Sequence, residues 1–248
     1  MKYSAEEYRQ INEFDYFAGG VPAGVIFQQN IEKLKRIVAA PNIKPAEVCL
    51  VGLVSYFEAF FKDHFAAIVN IQPKIVENLK KAGLNTDVDV LDIVSLGDRS
   101  EIRLGSLLAE KYDFGTAKRI NSIYQSLLKI TPFSKDEISQ FDQLLNDRNL
   151  IVHHGGIFTL KYVKQKFGSK TGDAFDNSLD VTPETFWLAL LFCETIVEKT
   201  ITSTKKSLEI YISKNDVVQS EANKQALGLL DLWIDETWLD ESNDDEYV

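Results

Sequence analysis

One segment, residues 46–70, limits the folds open to this chain more than any other. Its apolar residues recur at a helical period but occupy more than one side of the predicted helix: Val48, Leu50, Val51, Leu53, Val54, Phe57, Phe60, Phe61, Phe65 and Ile68. A helix that is apolar around most of its circumference has to be surrounded by other elements. We therefore expect this helix at the centre of a bundle.

Helical periodicity also accounts for most of the remaining chain. Further helices are predicted over residues 25–38, 87–96, 101–111, 116–130 and 183–212, with a shorter one between Pro73 and Gly83 and an amphipathic one over residues 222–238. Ser134 and Glu137 have the spacing of a capping box, which starts a helix that Gly155 and Gly156 end. Residues 157–166 fit either a short strand pair or a helical turn. The polar second half of residues 183–212 is expected to leave the core.

Length and composition favour an all-α globular protein. With 248 residues, of which 45% are hydrophobic, the chain can bury a substantial core. We divide it into an N-terminal extension with the first helix (1–45), a helical domain (46–215) and a C-terminal amphipathic helix with an acidic tail (216–248). Neither a membrane span nor a signal peptide is predicted. Cys49 and Cys193 fit buried thiols of a reducing compartment, so we expect a cytoplasmic protein.

The candidate chemistry is concentrated between Asn146 and Gly156. This segment holds Arg148, Asn149 and two of the chain's three histidines, His153 and His154. Arginine offers phosphate oxygens a permanent, forked cation, and histidine exchanges a proton near neutral pH, so the pattern indicates phosphate handling. The structural alternative is that these cations merely complement the dipole at a helix C-terminus.

The spacing of these residues bears on how a site can form. Arg148 and His153 are five positions apart, which places them about 140° apart around a continuous helix. Asn149 and His153 are four apart and share a face. One chain alone therefore does not bring the arginine and the histidine together. Two copies related by a two-fold axis would assemble a pair of arginines and a pair of histidines around a shared cleft.

This segment resembles the signature of the HEPN superfamily. It has an arginine, a polar residue, three variable residues and a histidine, and it lies at a helix end in an all-α chain. The HEPN signature is an arginine, four to six residues and a histidine, commonly with asparagine after the arginine. Arg148 to His153 fits it directly, and His154 fits its looser spacing. Residues 54–63 look like an early helix of some HEPN branches, and the branch found near RiboL-PSP domains is the most similar. The resemblance spans residues 46–212 and implies an up-and-down helical bundle, with extra helices inserted over residues 73–131.

The resemblance implies a homodimeric, metal-independent endoribonuclease, or a silent relative, in a toxin–antitoxin, stress or phage-defence setting. The His153 side chains of two copies would serve as base and acid, and Arg148 would stabilise the phosphorane. The products would be 2′,3′-cyclic phosphates and 5′-hydroxyls. Asn149 would position a phosphate or orient His153, and Glu58 would hold or neutralise the Arg148 guanidinium.

The remaining candidates are supporting residues. Lys62 and Asp63, beside Glu58, fit either an intrahelical charge cluster or support for the site, as does His154. His64 is expected to be a packed histidine. A metal site of Asp147, His153 and His154 is poorly spaced, so neither a metal nor a cofactor is expected.

The net charge of −10 is unevenly distributed. Eight acids and no Lys or Arg lie between Asp231 and Val248, so the preceding chain carries only −2 of that total. A basic patch follows the two histidines: Lys161, Lys164, Lys166 and Lys170. The patch fits either a solvated face or contacts with an RNA backbone, and the acidic tail would then be a competitor for it.

Two functions of other classes stay open beside the nuclease. The first is a non-catalytic HEPN adaptor, which would use the bundle for dimerisation or for binding a partner such as a nucleotidyltransferase-like antitoxin or a regulatory protein. The second is a nucleotide-binding module with Arg148 on a phosphate.

Overall fold

The computed structural model describes residues 11–40, 45–168 and 177–233. Within these ranges the chain is an all-α bundle without β-strands, apart from one isolated bridge between Ile157 and Ser178. Its ten α-helices are α1 (Ala23–Ala39), α2 (Ala46–Ile71), α3 (Val76–Lys81), α4 (Val90–Ser95), α5 (Leu104–Ala109), α6 (Ala117–Leu128), α7 (Lys135–His154), α8 (Leu160–Phe167), α9 (Pro183–Lys214) and α10 (Glu221–Leu229). Short 3₁₀ turns lie at Glu13–Tyr16, Ala18–Gly20, Pro73–Ile75 and Gly97–Ile102. The all-α prediction is confirmed. Of the acidic tail, Asp231 is described and residues 234–248 lie outside the described residues.

Helix α2 lies at the centre of the bundle, as its apolar pattern predicts. It contacts α1, α5, α7 and α9. Phe57, on α2, packs edge-on against Phe61 at 5.1 Å between ring centroids, and against Phe141 of α7 at 5.2 Å. Burial of each large apolar side chain contributes about 1.5–3 kcal/mol, so this aromatic cluster fixes α7 firmly against α2.

Both ends of α7 form as the sequence predicts. At its start, the Ser134 hydroxyl accepts from the Glu137 amide at 3.3 Å, while the Glu137 carboxylate accepts from the Ser134 amide at 2.6 Å. At its end, Gly155 adopts a φ of 56°, and the amide of Gly156 donates to the Leu150 carbonyl at 3.2 Å. The helix is continuous between these caps, so Arg148 and His153 lie on one rigid element.

The second half of α9 stays in the core, so the expectation that it leaves was wrong. Thr200, Thr204 and Leu208 are all fully buried. The Thr200 hydroxyl donates to the Ile196 carbonyl, one turn earlier, at 2.6 Å. A threonine satisfied by its own helix can be buried at little cost, which is why the polar composition of this half was misleading.

Several predicted boundaries also change. The two predicted helices within residues 87–111 are shorter than expected, as α4 and α5, and the last helix ends at Leu229 within the described residues. The ambiguous segment after Gly156 begins with the bridge of Ile157 to Ser178 and continues as α8.

Cys49 and Cys193 are buried unpaired thiols, as predicted. No helix in the described part of the chain has the length and hydropathy that crossing a membrane requires.

Candidate functional site on helices α7 and α8

Arg148 forms a half-buried ion pair that joins α7 to α2. Its Nη2 donates to Oε1 of Glu58 at 3.0 Å, and its Nη1 donates to Oδ1 of the neighbouring Asn149 at 3.0 Å. The Arg148 and Glu58 side chains are 23% and 27% exposed. The Nε of Arg148 is buried and has no hydrogen-bond partner among the described residues. Two of the three guanidinium nitrogens are therefore committed within the fold.

Two acids on α2, Glu58 and Asp63, sit in an environment that disfavours their charged forms. Burial raises the pKa of Glu58, and the charge and hydrogen bond of Arg148 offset part of that rise. Burial likewise raises the pKa of Asp63, with Lys62 opposing it. In the described part of the structure Asp63 forms no ion pair with Arg148, so Glu58 is the acid of this predicted group that binds the arginine.

The histidines lie on a different side of α7, beside a cleft of about 270 Å³ that separates the end of α7 from α8. The cleft is lined by Asn146, Asn149, Leu150, His153 and His154 and, across it, by Thr159, Lys161, Tyr162 and Gln165. The side chains of Asn149, His153 and His154 are exposed. The structure thus brings together Asn149, both histidines and Lys161.

Arg148 is directed away from this cleft and towards Glu58. This separation follows from the angle of about 140° between positions five residues apart on a continuous helix. Asn149 connects the two sides, because it lines the cleft while its Oδ1 accepts from the Arg148 guanidinium. One chain therefore presents the histidines and the arginine separately, with Asn149 between them.

A polar cluster that the sequence did not predict holds α8 against α7. The Tyr162 hydroxyl donates to Oδ1 of Asp147 at 2.6 Å, and Nε2 of Gln143 donates to the same oxygen at 2.7 Å. Nζ of Lys166 donates to the Tyr162 oxygen at 2.8 Å. Tyr162 is only 4% exposed, and burial together with Asp147 raises its pKa, so the hydroxyl keeps its proton. The cluster fixes one wall of the cleft relative to the other.

The predicted basic patch has two kinds of lysine. Lys161 and Lys164 are exposed and form no ion pair within the described residues, and Lys161 lines the cleft. Lys166 is held by Tyr162 and lies 3.9 Å from the Asp147 carboxylate. Lys170 lies outside the described residues. The cation of Lys166 is therefore partly neutralised, and Lys161 is the lysine best placed to act in the cleft.

His64 is a packed histidine, as the sequence predicts. Its ring stacks between Phe60, at 5.3 Å, and Tyr124, at 6.3 Å, and its Nε2 has no partner in the described structure. Complete burial lowers its pKa to about 3, so the ring is neutral at physiological pH. No group of three or more His, Cys, Asp or Glu side chains that could hold a metal ion is found in the described ranges.

No family model, curated protein or solved structure matches this chain significantly. The resemblance to the HEPN superfamily therefore remains a prediction from the signature residues Arg148, Asn149 and His153.

Proposed function

We propose that this protein is a metal-independent endoribonuclease that acts as a homodimer. The observation that carries the proposal is the α7–α8 cleft, in which an exposed imidazole, an amide and an ammonium group converge: His153, Asn149 and Lys161. An acid–base group next to a phosphate-binding cation is what cleavage of a phosphodiester requires.

RNA carries its own nucleophile, the 2′-hydroxyl, and the residues present supply the proton transfers. In the proposed reaction, neutral His153 of one copy takes the 2′-hydroxyl proton while the 2′-oxygen attacks the adjacent phosphorus. The bond from phosphorus to the 5′-oxygen breaks, and protonated His153 of the second copy gives its proton to that oxygen. The products are a 2′,3′-cyclic phosphate and a 5′-hydroxyl, and Lys161 and Asn149 bind the phosphate oxygens.

In the proposed dimer, a second copy would supply the arginine that one copy lacks in its own cleft. Arg148 and His153 point to different sides of α7, so an arginine reaches a cleft only if a second copy brings it or if it leaves Glu58. A two-fold axis near the end of α7 would pair the two clefts and their histidines. A bound phosphate would then compete with Glu58, which accepts a single hydrogen bond from Arg148, for a guanidinium that is able to bind a phosphate through two.

A non-catalytic adaptor is the second candidate, and the Arg148 ion pair favours it. Both hydrogen-bonded guanidinium nitrogens serve the fold, which suits an arginine whose role is to pin α7 to α2. Such an adaptor would dimerise, or bind a nucleotidyltransferase-like antitoxin or another regulatory protein. If the cleft instead holds a nucleotide, that ligand should stabilise the protein without any cleavage of RNA.

The test is cleavage of end-labelled structured and single-stranded RNAs in EDTA. We expect the wild type to cleave, and both His153→Ala and Arg148→Ala to be inactive. Arg36→Ala is the matched control, because it removes an exposed arginine from the last turn of α1, away from the residues that line the cleft, and it should stay active. His154→Ala distinguishes the two histidines. Absence of cleavage by folded wild-type protein would favour the adaptor.

A further inference from the structure

Three aromatic rings, two on α8 and one just before it, form a ladder that leads from the cleft to the surface. The ring of Phe158 lies 4.9 Å from that of Tyr162 and 6.1 Å from that of Phe167. Exposure increases along the ladder: Tyr162 is buried at the cleft, Phe158 is half-buried, and Phe167, the last residue of α8, is 48% exposed. In the described structure Phe158 is the one ring that contacts Phe167, so about half of the last side chain of the ladder is exposed.

The surroundings of the ladder are cationic. Within Leu160–Phe167 the helix has three lysines and no acid. Lys166 is held by Tyr162, whereas Lys161 and Lys164 are exposed beside the rings. Lysines that bind a phosphate backbone next to aromatic rings that stack on bases are the combination typical of single-stranded nucleic-acid binding.

The position of the ladder relative to the cleft defines what would bind there. Tyr162 belongs to both, since it lines the cleft and forms the inner end of the ladder. A phosphate beside His153 and Lys161 would place a neighbouring nucleotide at Tyr162, from which the ring of Phe158 connects to that of Phe167. A base inside a duplex has both faces covered by stacking, so only an unpaired base can use this ring.

We infer that Phe167 is a nucleobase-stacking platform, in contact with Phe158 and one helical turn from Lys164, while Lys161 lies at the cleft. It holds an unpaired base of the RNA whose phosphate enters the α7–α8 cleft. The inference takes RNA as the ligand from the proposed function, but it requires binding only and does not depend on cleavage.

The test measures binding of two fluorescent oligonucleotides by anisotropy. Both are 2′-O-methylated and therefore lack the nucleophile; one carries bases and the other is abasic along the same backbone. We expect the full-length wild type to bind the probe with bases at least about fivefold more tightly. Phe167→Leu, which keeps apolar volume but removes the ring, should abolish this preference, and Phe167→Trp should retain it. Phe14→Leu is the matched control, because Phe14 is 47% exposed and lies far from α8.

The outcomes separate this inference from the proposed nuclease. Equal affinity of the wild type for the two probes, absence of binding, or an unchanged preference in Phe167→Leu would each overturn the platform. Base-dependent binding that is lost in Phe167→Leu would support it even if no RNA is ever cleaved. Cleavage without any base preference would support the nuclease and refute the platform.

Discussion

The guanidinium of Arg148 donates to the carboxylate of Glu58 at 3.0 Å, across the α2–α7 interface and a separation of 90 residues. On the same helix, His153 faces the opposite wall of a cleft formed with α8. The arginine and the histidine of one short motif thus have different surroundings, and Asn149 accepts a hydrogen bond from the arginine while it lines the cleft with the histidine. The arginine is tied to the fold, while the histidine is open to a ligand.

Replacing Glu58 with glutamine tests how much the Arg148–Glu58 ion pair stabilises the fold. The change leaves the Arg148 cation partly buried without a counter-ion, so we expect the free energy of unfolding in urea to fall by about 1–2 kcal/mol. The control is Glu77→Gln, whose pair with Lys81 is 67–74% exposed and should contribute almost nothing. Equal effects of the two substitutions would show that the Arg148–Glu58 pair does not stabilise the fold.

Tyr162→Phe tests whether the polar cluster positions α8. Loss of the hydrogen bond to the Asp147 carboxylate should cost about 1–2 kcal/mol and should speed hydrogen exchange at the amides of α8. Tyr112→Phe removes a hydroxyl that donates to the Asn85 carbonyl at 2.6 Å, and it should leave α8 unchanged. Unaltered exchange in α8 of Tyr162→Phe would mean that packing alone holds this helix.

The buried His64 gives folding a specific pH dependence. Its pKa is about 3 in the folded protein against 6.5 for an ordinary histidine, so between these values the unfolded chain binds a proton that the folded chain does not. The contribution of His64 to stability is therefore complete above pH 6.5 and declines as the pH falls towards 3. The slope for one proton approaches about 1.4 kcal/mol per pH unit.

His64→Leu isolates this contribution, because the other titrating groups remain in both proteins. We expect the unfolding free energy of the variant minus that of the wild type to increase by about 1 kcal/mol or more between pH 7 and pH 5. Urea denaturation at several pH values measures the difference. A difference that is constant over this range would show that His64 can be protonated in the folded state.

Gly105→Ala tests the close approach of α5 to α2. The added Cβ would lie 2.0 Å from the Ala66 carbonyl oxygen, and the Gly105 amide donates to the Asn70 side chain at 2.7 Å. Because backbone atoms have to move, we expect a loss of about 3 kcal/mol in the unfolding free energy. Gly228→Ala, in α10, meets no atom within 4 Å and should be neutral or slightly stabilising. Similar stability of the two variants would contradict the tight packing of α5.

Local sequence patterns were sufficient for α2 and for both ends of α7, although they left α8, the other wall of the cleft, undecided. The apolar positions around Phe57 identified α2 as the central helix, and the capping box at Ser134 and the glycine pair at Gly155 identified both ends of α7. These features depend on neighbours within one or two helical turns, so a single sequence contains them. The same is true of the angle between Arg148 and His153.

Contacts between elements could not be predicted in this way. Tyr162 and Asp147 are 15 residues apart, across a turn whose conformation the periodicity left undecided. Thr200 shows the opposite error, because its polarity indicated exposure although its hydroxyl bonds within the helix and the side chain is buried. For Tyr162 the decisive acceptor lies on another helix, and for Thr200 the decisive feature is the packing that buries this face of α9, so in both cases only the folded chain defines the outcome.

The measurement that tests the nuclease most directly is the chemical nature of the fragment ends, determined by mass spectrometry after incubation in EDTA. The substrate is a single-stranded oligoribonucleotide, compared with the same sequence made entirely of 2′-deoxynucleotides. We expect 2′,3′-cyclic phosphate and 5′-hydroxyl ends from the RNA, none from the DNA, and none from either with His153→Ala. Fragments with 3′-hydroxyl and 5′-phosphate ends, cleavage of the DNA, or cleavage retained in His153→Ala would contradict the mechanism.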